Sequence, residues 1–119
     1  MIEHKYGRII TAASTSGMRG NYGQSNYSAT KAGVIGMTKT WTVELGKYGI
    51  TANVIAPGYT VTDMTATIPE ETAKMFAKQI PVRFLGDPMD IAHGYLYFAS
   101  PEARYVSGVC LNIDGGSAR

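Results

Sequence analysis

The chain has 119 residues, 45% of them hydrophobic and 17% charged. This is the size and composition of one ordinary globular domain, and it excludes a disordered, fibrous or collagen-like chain. The formal charge of +2 comes from 11 basic and 9 acidic residues spread along the sequence, without the clustered Lys/Arg stripe that a phosphate backbone requires, so no nucleic-acid partner is expected.

The opening Met1-Ile2-Glu3-His4-Lys5-Tyr6 lacks the apolar core of a secretory signal, and no later apolar run is long enough to span a bilayer. Gly7 to Ala13 is a β-branched run bounded by Gly7 and by Ser14-Thr15-Ser16-Gly17, which predicts a short buried strand. A flexible loop through Gly17, Gly20 and Gly23 follows. The main helix is predicted from Ser25 to about Lys47, with Val34, Thr38, Trp41 and Leu45 on one face and Gly46 and Gly49 where a left-handed cap is wanted. Ile50 to Ala56 predicts a second buried strand, stopped by Pro57-Gly58. Residues 59–68 form a Thr-rich loop. A short amphipathic helix then runs from about Pro69 to Gln79, with Glu70 and Glu71 near its positive end. Asp87-Pro88 opens another helix, carrying Ile91, Tyr95, Leu96 and Ala99 and broken by Ser100-Pro101. Val106 to Asp114 predicts the last strand, closed by Gly115-Gly116. Within it Cys110 has no second thiol to pair with, so a reducing compartment, the cytoplasm, is expected. His4 and His93 stand apart from any ligand-spaced partner, and no metal site is expected. Strand, helix, strand, helices, strand predicts an α/β parallel sheet of three strands with crossover helices.

Tyr27-Ser28-Ala29-Thr30-Lys31 places a phenol and an ammonium four residues apart, on one face of a helix. With eight tyrosines in the chain such a pair arises readily by chance. Its position gives it weight: it opens a helix that follows a strand, and Ser14 lies just past that strand's carboxyl end, where open α/β sheets bind ligands. A cation beside a phenol favours its ionised form. A tyrosine so placed gives a proton to a carbonyl oxygen that is becoming an alkoxide, or takes one from an alcohol, while a serine hydroxyl hydrogen-bonds the same oxygen.

These residues carry a family resemblance. Gly7-Arg8-Ile9-Ile10 leading to Ser14, thirteen residues before Tyr27, and then Gly23-Gln24-Ser25-Asn26-Tyr27-Ser28-Ala29-Thr30-Lys31-Ala32-Gly33, is similar to the active-site segment of short-chain dehydrogenases/reductases. Ile50 to Gly58 with Thr62-Asp63-Met64, Gly86-Asp87-Pro88 with Asp90-Ile91-Ala92, Phe98-Ala99-Ser100, and Tyr105 to Gly108 with Asp114-Gly115-Gly116 resemble the family's later motifs, in order, over about Gly7 to Ser117. The nearest flavour is the 3-oxoacyl-[acyl-carrier-protein] reductase branch.

The resemblance implies that Tyr27 is the acid/base, that Lys31 assists it and hydrogen-bonds the nicotinamide ribose, and that Ser14 holds the substrate oxygen. It implies that Pro57, Gly58, Thr60 and Thr62 contact the nicotinamide end of NADP or NAD, Thr60 through its backbone and Thr62 through its hydroxyl. Residues 59–79 would form a substrate lid over a small-molecule carbonyl or alcohol. Residues 1–119 would be the C-terminal, catalytic half of a Rossmann-like doubly wound sheet, without its N-terminal nucleotide-binding half. Gly17-Met18-Arg19-Gly20-Asn21-Tyr22-Gly23 does not replace that half, because its spacing is G-x-x-G-x-x-G and not G-x-G-x-x-G. The expectation is a soluble oxidoreductase complete only in a longer parent, itself a homo-oligomer, dimer or tetramer. The alternative is an inactive fragment that keeps the family's oligomerisation surfaces.

Overall fold

The computed structural model describes residues 1–63 and 65–118. Met64, the last residue of the Thr62-Asp63-Met64 motif, lies outside the described residues. Three parallel strands form one sheet in the order β1 (Gly7–Ala12), β2 (Ile50–Pro57), β3 (Cys110–Ile113). Gly7 pairs with Ile50 and Ala12 with Ile55, while Val54 pairs with Cys110 and Pro57 with Ile113.

β2 is central, and seven of its eight residues are buried. The alternation of the strand sends Val54 and Ala56 to one face of the sheet and Ile55 to the other. On the first face Val54, Ala56 and Ala13 pack with Val34 and Ile35 of the long helix α2 (Ser25–Leu45). On the second, Ile55 packs with Phe98, and Ile91 and Tyr95 join from α4 (Pro88–Ala99). Helices thus cover both faces, the doubly wound arrangement expected of a parallel sheet. At Gly94 of α4 a Cβ would stand 2.4 Å from Ile113 Cδ1, so the absence of a side chain lets this helix settle on the sheet.

The helix starts follow local chemistry. Asp87 accepts from Met89 N while Asp90 accepts from Asp87 N, a reciprocal cap, with Pro88 in the first turn. α2 ends at Leu45 and passes through a 3-10 turn (Gly46–Tyr48) to Gly49, whose φ of 71° supplies the left-handed residue. α3 (Glu70–Gln79) begins one residue later than expected and carries Glu70–Lys74 and Glu71–Lys74 ion pairs on its exposed side.

Three expectations need correction. Val106 to Val109 and Asp114 are not strand, and β3 runs only from Cys110 to Ile113. The polar groups of Val106–Val109 are used by β2 in another way: Asn53, 1% exposed, donates to Val106 O at 2.8 Å and accepts from Val109 N at 3.1 Å. Ser107 Oγ accepts from Ala52 N at 3.1 Å and Gly108 N donates to Ala52 O at 2.8 Å. The motif from Tyr105 to Gly108 is therefore a clasp on the central strand. Second, the stretch between Ser14 and Tyr27 is not a flexible loop throughout, since it holds a short helix, α1 (Ser16–Arg19). Third, Pro57 does not stop β2 but pairs with Ile113, and β1 closes at Ala12 instead of Ala13.

Candidate active site

All three strands point their carboxyl ends to one side, so the segments that leave them meet there. Ser14 follows β1, Gly58 to Thr62 follow β2, and Asp114 follows β3. Between the first two lies a cleft of about 320 Å³ lined by Ser14, Tyr27, Pro57, Gly58, Thr60 and Thr62. Six of the seven sequence-predicted site residues thus share one cavity.

Lys31 is the exception, for it does not line the cleft. Ala13 N donates to Ile55 O at 2.8 Å, so the alternation of a parallel ladder turns the polar groups of Ala12 to the outer edge of β1. Lys31 Nζ donates to that Ala12 carbonyl at 3.0 Å and lies 5.7 Å from the centroid of the Tyr27 ring. The ammonium is beside the phenol, held from behind by the end of β1.

The Ser14–Tyr27 connection is fixed by its own hydrogen bonds. Ser14 Oγ accepts from Ser16 N at 3.2 Å, and Gln24 Oε1 accepts from both Ser16 Oγ at 3.0 Å and Asn21 Nδ2 at 3.1 Å. Gly17 sets α1 against α2: a Cβ there would lie 2.8 Å from Ala32 N and from the carbonyl carbon of Lys31. Tyr27, 44% exposed, stands at the rim of the cleft so formed.

Across the cleft, Gly58 N donates to Ile113 O at 2.9 Å, and a Cβ on Gly58 would lie 2.6 Å from that of Asp114. Thr60 bridges Gly86 as an isolated parallel pair, in which Gly86 N donates to Tyr59 O and Val61 N donates to Gly86 O, both at 2.9 Å. By that pattern Thr60's own N–H and C=O face the opposite way. Thr65 organises this side: its hydroxyl accepts from Thr62 N at 2.6 Å and stands 3.2 Å from Thr60 O. α3 leans on the same segment through Phe76, whose ring stacks on Tyr59 with centroids 4.6 Å apart.

Arg19, Asn21, Gln24, Tyr59 and Thr65 also line the cleft, and none is singled out by spacing in the sequence. The Thr62–Thr65 interval is the one local signal, a hydroxyl three residues from the backbone it caps. Cys110 lies on the α2 side of the sheet, where burial raises its thiol pKa despite the lowering influence of Lys39. Among the described residues no group of His, Cys, Asp and Glu is arranged to hold a metal ion, and no helix is long and apolar enough to cross a membrane.

A family model described as enoyl-(acyl carrier protein) reductase matches residues 1–118. The chain is 45% identical over 116 residues to the 3-oxoacyl-[acyl-carrier-protein] reductase FabG of Vibrio cholerae, covering 98% of this chain and 48% of that protein. It is 44% identical over 116 residues to the acetoacetyl-CoA reductase of an Acinetobacter species, covering 98% of this chain and 47% of that one. The crystal structure of a 3-oxoacyl-[acyl-carrier protein] reductase from Brucella melitensis matches with a TM-score of 0.92 at 34% identity, over 100% of this chain and 45% of the other. That of a putative gluconate dehydrogenase from Agrobacterium tumefaciens gives 0.93 at 28%, over 99% of this chain and 47% of the other. The chain spans about half the length of the curated relatives it matches.

Proposed function

The chain belongs to the short-chain dehydrogenase/reductase family, and from that premise we propose that it is the catalytic half of an NAD(P)-dependent oxidoreductase that interconverts a ketone and a secondary alcohol. The single observation that supports this reading best is the shared cleft of Ser14, Tyr27 and Thr60 at the carboxyl edge of the sheet, with Lys31 behind the phenol.

The nicotinamide end of a dinucleotide suits this chain. A carboxamide needs a donor and an acceptor side by side, and the outward-facing N–H and C=O of Thr60 offer both, beside Pro57, Gly58 and the Thr62 hydroxyl. When bound, the nicotinamide supplies or accepts the hydride. Tyr27 gives its proton to the carbonyl oxygen as the alkoxide forms, and takes it back in the oxidative direction. Ser14 donates a hydrogen bond to the same oxygen. Lys31 stabilises the negative charge that the phenol gains, and is the residue of this chain that would reach the nicotinamide ribose. The choice between NADP and NAD belongs to the nucleotide-binding half of a longer parent.

Residues 59–79 form the proposed lid, closed at its base by the Thr60–Gly86 bridge and held by the Tyr59–Phe76 stack. The 3-oxoacyl thioesters named for two of the relatives are the first substrates to test. Met37 and Val43 are exposed on the outer side of α2, Val43 at 83%, and a homo-oligomeric, cytoplasmic parent would cover them. The reading predicts that the full-length parent consumes NADPH or NADH when given 3-oxobutanoyl-CoA. Consumption of neither, with the cofactor shown to bind, would contradict the ketone-reducing role.

A further inference from the structure

The charge and chemistry of the cleft narrow the substrate, taking the oxidoreductase reading as given. Eight of the residues that line it carry hydroxyl or amide side chains besides Tyr27 and Tyr59, none is a carboxylate, and one, Arg19, carries a full charge. We propose that the substrate presents an anionic oxygen group, a carboxylate or a phosphate, and that Arg19 is the specificity-determining residue that receives it.

Arg19 is held in place from two directions. It ends α1, whose Gly17 rests on the backbone of Lys31 and Ala32, so its position is fixed relative to Tyr27 one turn before Lys31. Its Nη1 donates to Ser117 O, in the turn that Asp114 builds by accepting from Gly116 N at 2.9 Å and Ala118 N at 2.7 Å. A neutral carbonyl uses one of five guanidinium donors and leaves the positive charge uncompensated. Among the described residues the ion pairs are those of Lys74 on α3, with none to Arg19. The exposed guanidinium keeps its remaining donors in a planar fork, which matches a carboxylate or phosphate edge.

The space agrees. About 320 Å³ is near the lower limit of small-molecule pockets, which span roughly 300–1,000 Å³. The nicotinamide end takes part of that volume, so what remains beside Arg19 fits a compact substrate group.

The test uses the full-length parent and two matched pairs of ketones: a small keto acid with its methyl ester, and a 3-oxoacyl-CoA with the neutral N-acetylcysteamine thioester of the same acyl group. Within each pair the readout is the ratio of kcat/KM for the charged over the neutral member. In Arg19→Gln this ratio should fall about 10- to 100-fold in one of the pairs, the loss expected for a charge-assisted hydrogen bond. Arg19→Lys, which keeps the charge without the fork, should retain part of it. A fall in the keto-acid pair assigns the anion to the substrate itself, and a fall in the thioester pair assigns it to the carrier's phosphates. Ratios unmoved in both pairs overturn the inference, even if both members slow together, since loss of the Ser117 tether alone does that. No turnover of any of the four ketones by the wild type would overturn the oxidoreductase reading along with it.

Discussion

At the scale of single residues, the site rests on groups that never touch a substrate. Asn53 spends its whole amide on the segment Val106–Val109, donating to one end and accepting from the other. Removing it strands two backbone partners and leaves a gap in the central strand. Asn53→Ala is expected to cost about 2–3 kcal/mol, two hydrogen bonds plus an uncompensated polar group, read from urea unfolding of the parent; a change below about 0.5 kcal/mol, the range of ordinary surface substitutions, would mean that the clasp is incidental. Gly17, Gly58 and Gly94 act by lacking a side chain, each at a place where a Cβ would meet another element at 2.8 Å or less. None of this is visible in one sequence, because a glycine that permits contact is written like a glycine that permits a turn. The candidate site residues are more legible: Ser14 and Tyr27 stand out by order and spacing, Pro57, Gly58, Thr60 and Thr62 by the family resemblance, and all six line one cleft.

Among the elements, legibility follows how much of the signal is local. The α4 start is written in its Asp-Pro cap, and β2 in its buried apolar run, although its hydrogen bonds go to the distant β1 and β3. β3 is shorter than its sequence pattern by Val106–Val109 and Asp114, because the backbone of Val106–Val109 is satisfied by side chains and a strand from elsewhere in the chain, which no local window contains. α1 was hidden by the glycines around it. The proposed lid couples to the cleft through one aromatic stack, Tyr59 on Phe76. Such pairs contribute about 0.5–1.5 kcal/mol beyond area burial. If closure of α3 is driven through this contact, Phe76→Ala should raise KM of the parent about 2- to 10-fold with a smaller change in kcat, measured by steady-state kinetics. An unchanged KM would detach α3 from substrate binding.

For the molecule as a whole, the sheet gathers the ends of three strands at one edge, and the proposed catalytic groups come from segments that this topology brings together. β1 and β3 are the outer strands of the described sheet, and β1 turns the carbonyl of Ala12 outward to Lys31. The chain matches about half of each relative, and the cleft holds the residues proposed for the nicotinamide end of a dinucleotide and none with the glycine spacing that holds its diphosphate. In the proposed enzyme, which needs a nucleotide-binding half besides this chain, Tyr27 is the group that moves the proton. The most direct test is turnover by the Tyr27→Phe parent beside cofactor affinity from NAD(P)H fluorescence. Loss of a positioned general acid predicts a fall in kcat of about 10²- to 10⁴-fold with cofactor affinity close to that of the wild type. Turnover retained within a few fold would contradict the assignment.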